Sequence, residues 1–163
     1  MTTASKSVAH APVPEFDAVV LGRSFAALRA AGRLRDELRL AVHDTADATS
    51  ARYDDVDHRW EILAGSTVVA RAKFLVDGDG TLPLCGRDGA PCTATTLTAK
   101  GFPNLFRPAG AGHPDPVGYT VACIEYMRAY GHDYVERRAR VPICDDDFPE
   151  LSFDRPTPQF WVG

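Results

Sequence analysis

The apolar positions of this chain begin with a short continuous run, Phe16-Asp17-Ala18-Val19-Val20-Leu21, stopped by Gly22. A compact apolar run closed by a turn residue predicts a buried strand. Ser24 is placed to cap a following helix, in which Phe25, Leu28, Ala31, Leu34 and Leu38 recur at helical spacing. Leu38-Arg39-Leu40-Ala41-Val42-His43 then predicts a second strand, ending at Asp44. Strand, tight turn, helix and strand within about thirty residues make the βαβ unit of a parallel sheet.

Beyond it the pattern changes. Three short alternating segments, around Arg52-Tyr53, Arg59-Trp60-Glu61-Ile62-Leu63 and Thr67-Val68-Val69-Ala70, are separated by the turn sequences Asp54-Asp55-Val56-Asp57 and Ala64-Gly65-Ser66. This pattern predicts a β-meander. Lys73-Phe74-Leu75-Val76-Asp77 is a further apolar run, ended by Gly78-Asp79-Gly80, and residues 81–100 are irregular and Thr-rich. Asn104 to Ala109 reads as a strand. Tyr119 to Arg138 reads as a helix offering Val121, Ile124, Met127, Tyr134 and Val135 to a core, with Tyr126, Tyr130 and Tyr134 as an aromatic stripe. That stripe is packing surface, a substrate shelf or a dimer contact.

These elements predict an α/β domain over residues 16–140: a short parallel sheet, flanking helices and a β-meander. Residues 1–15 read as a flexible tail and 141–163 as a Pro/Asp-rich tail lying on the surface. At 163 residues the chain has room for one core but not for two nucleotide-binding domains. A net charge of −4 and the lack of any Lys/Arg run argue against nucleic acid as a partner. No apolar window is long enough to span a membrane, and the first residues lack the apolar core of a signal peptide. Cys85, Cys92, Cys123 and Cys144 have neither CxxC pairing nor zinc-type His spacing, so free thiols in a cytoplasmic protein and no metal are expected.

Four segments, in order, carry a family resemblance. They are Asp17 to Leu28 around Gly22-Arg23-Ser24-Phe25-Ala26-Ala27, then Ala51 through Arg59-Trp60 to Val76, then Gly101-Phe102-Pro103-Asn104-Leu105-Phe106 through His113, and finally Cys123-Ile124-Glu125-Tyr126. Together they resemble flavin-dependent Baeyer–Villiger and flavin-containing monooxygenases, as a strongly truncated and degenerate member. The resemblance implies a reduced Rossmann-like FAD domain. Under it, Gly22, Ser24 and Ala27 stand at the three glycine positions of the GxGxxG turn that takes the FAD pyrophosphate, and Asp44 stands where an acid holds the ribose hydroxyls. Ser24 replaces the second glycine, where a side chain crowds the backbone approach to pyrophosphate. The family's second GxGxxG for NADPH, its FxGxxxHxxxWP signature and its Gly-Gly-Thr-Trp loop have no counterpart in these residues. Monooxygenase chemistry by the family route is therefore not expected.

Candidate chemistry is sparse. Asp77 and Asp79, at the carboxyl end of a strand, are a possible general acid and base or a solvated glycine turn. His113, after Gly110-Ala111-Gly112, is a proton carrier near neutral pH or an exposed loop residue. Tyr119 and Glu125 lie six apart on the final helix, a spacing that points them away from each other, although either could line a pocket that a missing domain leaves open. Asp145-Asp146-Asp147 reads as a solvated turn, Trp60 as core and Trp161 as a tail-docking residue. The reading drawn from these residues is a non-redox cyclase, isomerase or dehydratase acting on a hydrophobic intermediate of bacterial specialised metabolism. Its catalytic candidates are His113, Asp77, Asp79 and Tyr119, and it needs no cofactor. The alternative is an FAD- or nucleotide-binding module, or a silent structural partner, supporting a larger monooxygenase.

Overall fold

The computed structural model describes residues 12–110, 113–137, 148 and 151–153. Most of both expected tails lies outside the described residues, including Cys144, Asp145-Asp146-Asp147 and Trp161. Among the described residues the chain forms strands β1 (Glu15–Leu21), β2 (Val42–Thr45), β3 (Ser50–Asp54), β4 (Arg59–Ala64), β5 (Thr67–Asp77), β6 (Leu84–Cys85), β7 (Leu105–Phe106), β8 (Val135–Arg137) and β9 (Leu151–Phe153). Its helices are α1 (Phe25–Asp36) and α2 (Pro116–Tyr130). The main sheet runs β2-β1-β5-β4-β3-β6, with β7 also paired to β5, while β8 and β9 form a separate antiparallel pair.

β5 joins the two halves of the sheet. Its early residues pair antiparallel with β4, and from Arg71 onward it pairs parallel with β1. At Leu75 and Val76 the short β7 takes over the edge that β4 leaves. The two apolar runs expected in this region are therefore one strand. Arg71 and Lys73 interrupt the hydrophobic pattern, but they alternate with buried Ala70, Ala72 and Phe74, as a pleated strand requires.

The same alternation splits the core between the two faces. Ala18, Val20, Phe74, Val76 and Phe106 pack beneath both helices, against Leu34, Ile124 and Met127. Val19, Leu21, Leu75 and Leu105 face the other way and meet Tyr53, Trp60, Ile62 and Phe102.

Ser24 caps α1 as expected, its hydroxyl oxygen accepting the Ala27 N–H at 3.1 Å. The buried face of α1 differs from the expected one. Ala27, Ala30, Ala31 and Leu34 point inward, whereas Phe25 is 79% and Leu28 57% exposed. The helix lies so close to the sheet that a Cβ on Gly78 would collide with the Ala27 methyl, and only small side chains fit there. α1 also stops at Asp36. Leu38 and Leu40 are buried in the connection, where Arg39 turns the chain at φ 58, so the second strand starts later than expected, at Val42.

α2 starts earlier than expected, with Asp115 as cap and Pro116 in the first turn, and ends where Gly131 adopts φ 71. Val135 and Arg137 thus belong to β8 rather than to a helix. The expected stripe loses Tyr134, whose ring packs on His58 and under Arg87. Tyr126 and Tyr130 remain adjacent, with ring centroids 4.8 Å apart. The strand expected from Asn104 to Ala109 contracts to β7, because Asn104 sits at φ 57 and Pro108 has no N–H for a ladder.

Candidate functional site

The carboxyl ends of β1, β2 and β5 lie side by side, with Leu21 paired to Thr45 on one side and Asp77 on the other. Open α/β sheets bind ligands at this end. β1 leads into Gly22 at φ 99, a conformation open to glycine, and α1 begins immediately after it. The uncompensated N–H groups at such a helix start favour an anion.

Here that anion is the protein's own. The Asp79 carboxylate accepts the Ser24 N–H through Oδ1 at 2.9 Å and the Arg23 N–H through Oδ2 at 3.2 Å. It lies directly over Gly22, where a Cβ would overlap the carboxyl group. The Ser24 hydroxyl donates to Gly78 O at 3.0 Å, tying the two turns together. The Ser24 N–H and, secondarily, the Arg23 N–H hold the Asp79 carboxyl below its usual titration range against partial desolvation.

Asp77 behaves in the opposite way. It is 1% exposed, and burial pushes its carboxyl up despite the Gly80 N–H at 3.1 Å and the nearby Arg107 guanidinium. Arg107 Nε stands 3.7 Å from Asp77 Oδ2, beyond hydrogen-bond reach, and both atoms lack a hydrogen-bond partner. Arg107 is instead anchored to the Ala94 carbonyl. Asp77 and Asp79 are thus differentiated by environment, one buried and one capping a helix start. They share a small cavity of about 70 Å³ with Gly22, Thr45 and Thr81. Asp44, next to last in β2, is drawn to Arg35 at 2.8 Å, which lowers its pKa. A shallow cleft of about 270 Å³ beside it is lined by Gly22, Arg23, His43, Asp44 and Thr45.

Of the four residues marked for FAD, Gly22 and Ser24 lie in the turn between β1 and α1, and Asp44 lies near the end of β2. Ala27 instead faces inward onto Gly78. The donors do not fit a diphosphate in this arrangement. The first two N–H groups after Gly22 are taken by Asp79, and the Ala27 N–H by the Ser24 side chain.

His113 and Tyr119 lie elsewhere. Their rings pack with centroids 4.8 Å apart at the start of α2. They line an open concavity of about 790 Å³ with Arg33, Asp115, Glu125, Tyr126 and Phe148. His113 Nδ1 accepts the Asp115 N–H at 2.9 Å, which leaves Nε2 as the protonated nitrogen of the neutral ring. Asp115 meanwhile caps α2, its Oδ1 accepting the Gly118 N–H at 3.1 Å. Tyr119 is buried against His113 on one side and Phe148 on the other, so it supports the imidazole more than it faces solvent. Arg33, across from α2, is held by Glu37 at 2.7 Å.

The four catalytic candidates therefore divide into two pairs that line different cavities. Tyr119 and Glu125, expected to diverge, line the same one. No residue pattern marks Arg107, or the carboxylate of Asp79 as a helix cap. Only Asp79 carried a signal, as an acid in a glycine turn. Its partners are more than fifty residues away along the chain. Among the described residues no group of three or more His, Cys, Asp or Glu side chains is placed to hold a metal ion. No helix there is long and apolar enough to cross a membrane.

No family model matches the chain, and no curated protein matches it. Among solved structures, a closed crystal structure of cyclohexanone monooxygenase is 15% identical over 74% of this chain and 45% of that one, with a TM-score of 0.39. A cyclohexanone monooxygenase from Rhodococcus sp. Phi1 bound to NADP+ is 16% identical over 61% of this chain and 23% of that one, at TM-score 0.32. OTEMO in complex with FAD and NADP is 17% identical over 61% and 24%, at TM-score 0.30. The chain spans less than half the length of each.

Proposed function

We propose that this domain transfers protons within a small, largely apolar carbonyl compound, as an isomerase or a related cyclase or dehydratase, and that it does so without a redox cofactor. The observation that carries this reading is the placement of His113, Tyr119 and Glu125 around one open concavity of about 790 Å³, a size suited to a small organic ligand. Neutral imidazole with its proton on Nε2 is a hydrogen-bond donor suited to a carbonyl oxygen. Glu125, exposed on the same helix, is the carboxylate available as base.

In the proposed step the Glu125 carboxylate takes a proton from the carbon beside the carbonyl. The C–H electron pair becomes the enolate, whose oxygen is stabilised by His113 Nε2–H. With a β,γ-unsaturated ketone the anion is a dienolate and Glu125 returns the proton to the γ carbon, moving the double bond into conjugation. With a β-hydroxy ketone the enolate pair expels the β oxygen, which takes the proton from Glu125 and leaves as water. Tyr119 keeps the imidazole in place. Asp77 and Asp79 take no part in this chemistry.

The test is solvent-deuterium incorporation into a panel of apolar ketones, followed by NMR. The expected result is exchange at the carbon next to the carbonyl with the wild type. Glu125→Gln should slow it by about 100-fold or more, and His113→Ala by a comparable factor. No exchange across the panel, or rates unchanged in both variants, would remove the assignment.

A second reading, a nucleotide-binding module, is favoured by Gly22 at φ 99, the adjoining strand ends and the cleft beside Asp44. It requires the seat at the start of α1 to accept an external phosphate.

A further inference from the structure

We propose that Asp79 is a built-in substitute for a ligand phosphate, an intramolecular contact that closes the anion seat of this fold. The inference is independent of the proton-transfer reading on α2, since the two places share no residue.

Three observations converge on it. The Asp79 carboxylate spans the Arg23 and Ser24 N–H groups with one oxygen on each. This is the bridging geometry by which phosphate oxygens are held at a helix start. The carboxyl group fills the space over Gly22 that a glycine leaves for close approach of a ligand, so nothing larger than hydrogen is tolerated beneath it. Finally, Ser24 fixes the turn carrying Asp79 by donating to Gly78 O, while Ala27 packs on Gly78 from the helix side. The seat and its occupant are thus one interlocked unit rather than a chance surface contact.

An arriving diphosphate meets two obstacles: the donors are already engaged, and an ionised carboxylate stands in its place. Like any aspartate, Asp79 is ionised throughout the neutral range, and the two N–H groups it accepts favour the charged form further. Removing the side chain frees both N–H groups and removes the repulsion, so the seat becomes available to an external anion.

The experiment compares wild type, Asp79→Ala and Asp79→Asn by calorimetric titration with ADP, inorganic pyrophosphate and adenosine. The expected result is no saturable binding of ADP or pyrophosphate by the wild type and at least tenfold tighter binding by D79A. D79N should show a smaller gain, because its carboxamide oxygen can still accept one N–H. Adenosine, which carries no phosphate, should show no difference among the three. Wild-type ADP binding as tight as that of D79A would overturn the proposal. So would folded D79A and D79N proteins that gain nothing, or an equal gain for adenosine. A measurement on the unaltered chain guards against variants that fail to fold. The amide proton shifts of Arg23 and Ser24 should follow a single titration with a midpoint below the usual carboxylate range, and amides that do not titrate would equally refute the contact.

Discussion

Replacing Trp60 by alanine should lower the melting temperature by about 10 °C, corresponding to a loss of about 3–5 kcal/mol in a domain of this size. The indole is fully buried between the meander and the segment leading into β7. It packs edge-on against Tyr53 at 5.4 Å. Its Nε1–H donates to Pro103 O at 2.7 Å, a bond that joins residues 43 apart in sequence. Alanine removes the largest side chain of this core face and leaves the carbonyl without its donor. Phenylalanine separates the two effects. It keeps most of the apolar contact and loses only the hydrogen bond, so Trp60→Phe should lose about 1–2 kcal/mol. Thermal unfolding of the pair checks this. Equal melting temperatures for W60A and wild type would show that Trp60 does not join the two segments.

Asn104→Ala should cost about 3 kcal/mol, read as a shift of the denaturant midpoint without change in slope. Its side chain is fully buried and makes three hydrogen bonds. Its Nδ2 donates to Lys73 O at 3.1 Å and Asp133 O at 3.0 Å, and its Oδ1 accepts the Val135 N–H at 2.8 Å. Its backbone adds Asn104 N–H to Val135 O at 2.7 Å and accepts Leu75 N–H at 3.0 Å. One residue therefore ties β5, β7 and β8 together. It does so at φ 57, a left-handed conformation that asparagine tolerates better than alanine. Asn104→Gly should recover about 1 kcal/mol of the alanine loss by relieving that strain. Asn104→Asp should be no better than alanine, since it turns an oxygen toward two carbonyls. An aspartate variant as stable as the wild type would contradict this hydrogen-bond assignment.

Asn104 also shows where the sequence was legible and where it was not. Its segment, Gly101 to Phe106, stood out as a pattern, but no spacing rule shows that a polar side chain there is fully buried with three partners. β1, the Gly22 turn, the Ser24 cap and the meander were all readable, because each rests on local chemistry: a compact apolar run, a glycine, a hydroxyl and period-two alternation. The buried face of α1 was not. Periodicity gives weight to large apolar residues such as Phe25 and Leu28, whereas the sheet admits only alanines where Gly78 approaches. The end of α2 was readable in principle, since Gly131 is a helix stop signal, yet the apolar residues Tyr134 and Val135 beyond it extended the pattern falsely.

The candidate sites divide in the same way. Asp77 and Asp79 looked equivalent as neighbours in a glycine turn. The fold sends one into the interior and the other onto a helix more than fifty residues away. Tyr119 and Glu125 looked divergent by helical angle, but a broad concavity reaches both. Contacts between distant segments decided each of these outcomes, and they are not written in residue spacing.

The visible absorption spectrum of the freshly purified protein, before and after incubation with excess FAD and gel filtration, tests the central claim most directly. If Asp79 fills the phosphate seat, the protein is colourless in both samples and retains no flavin. One equivalent of FAD carried through the column, giving a yellow protein, would contradict the account.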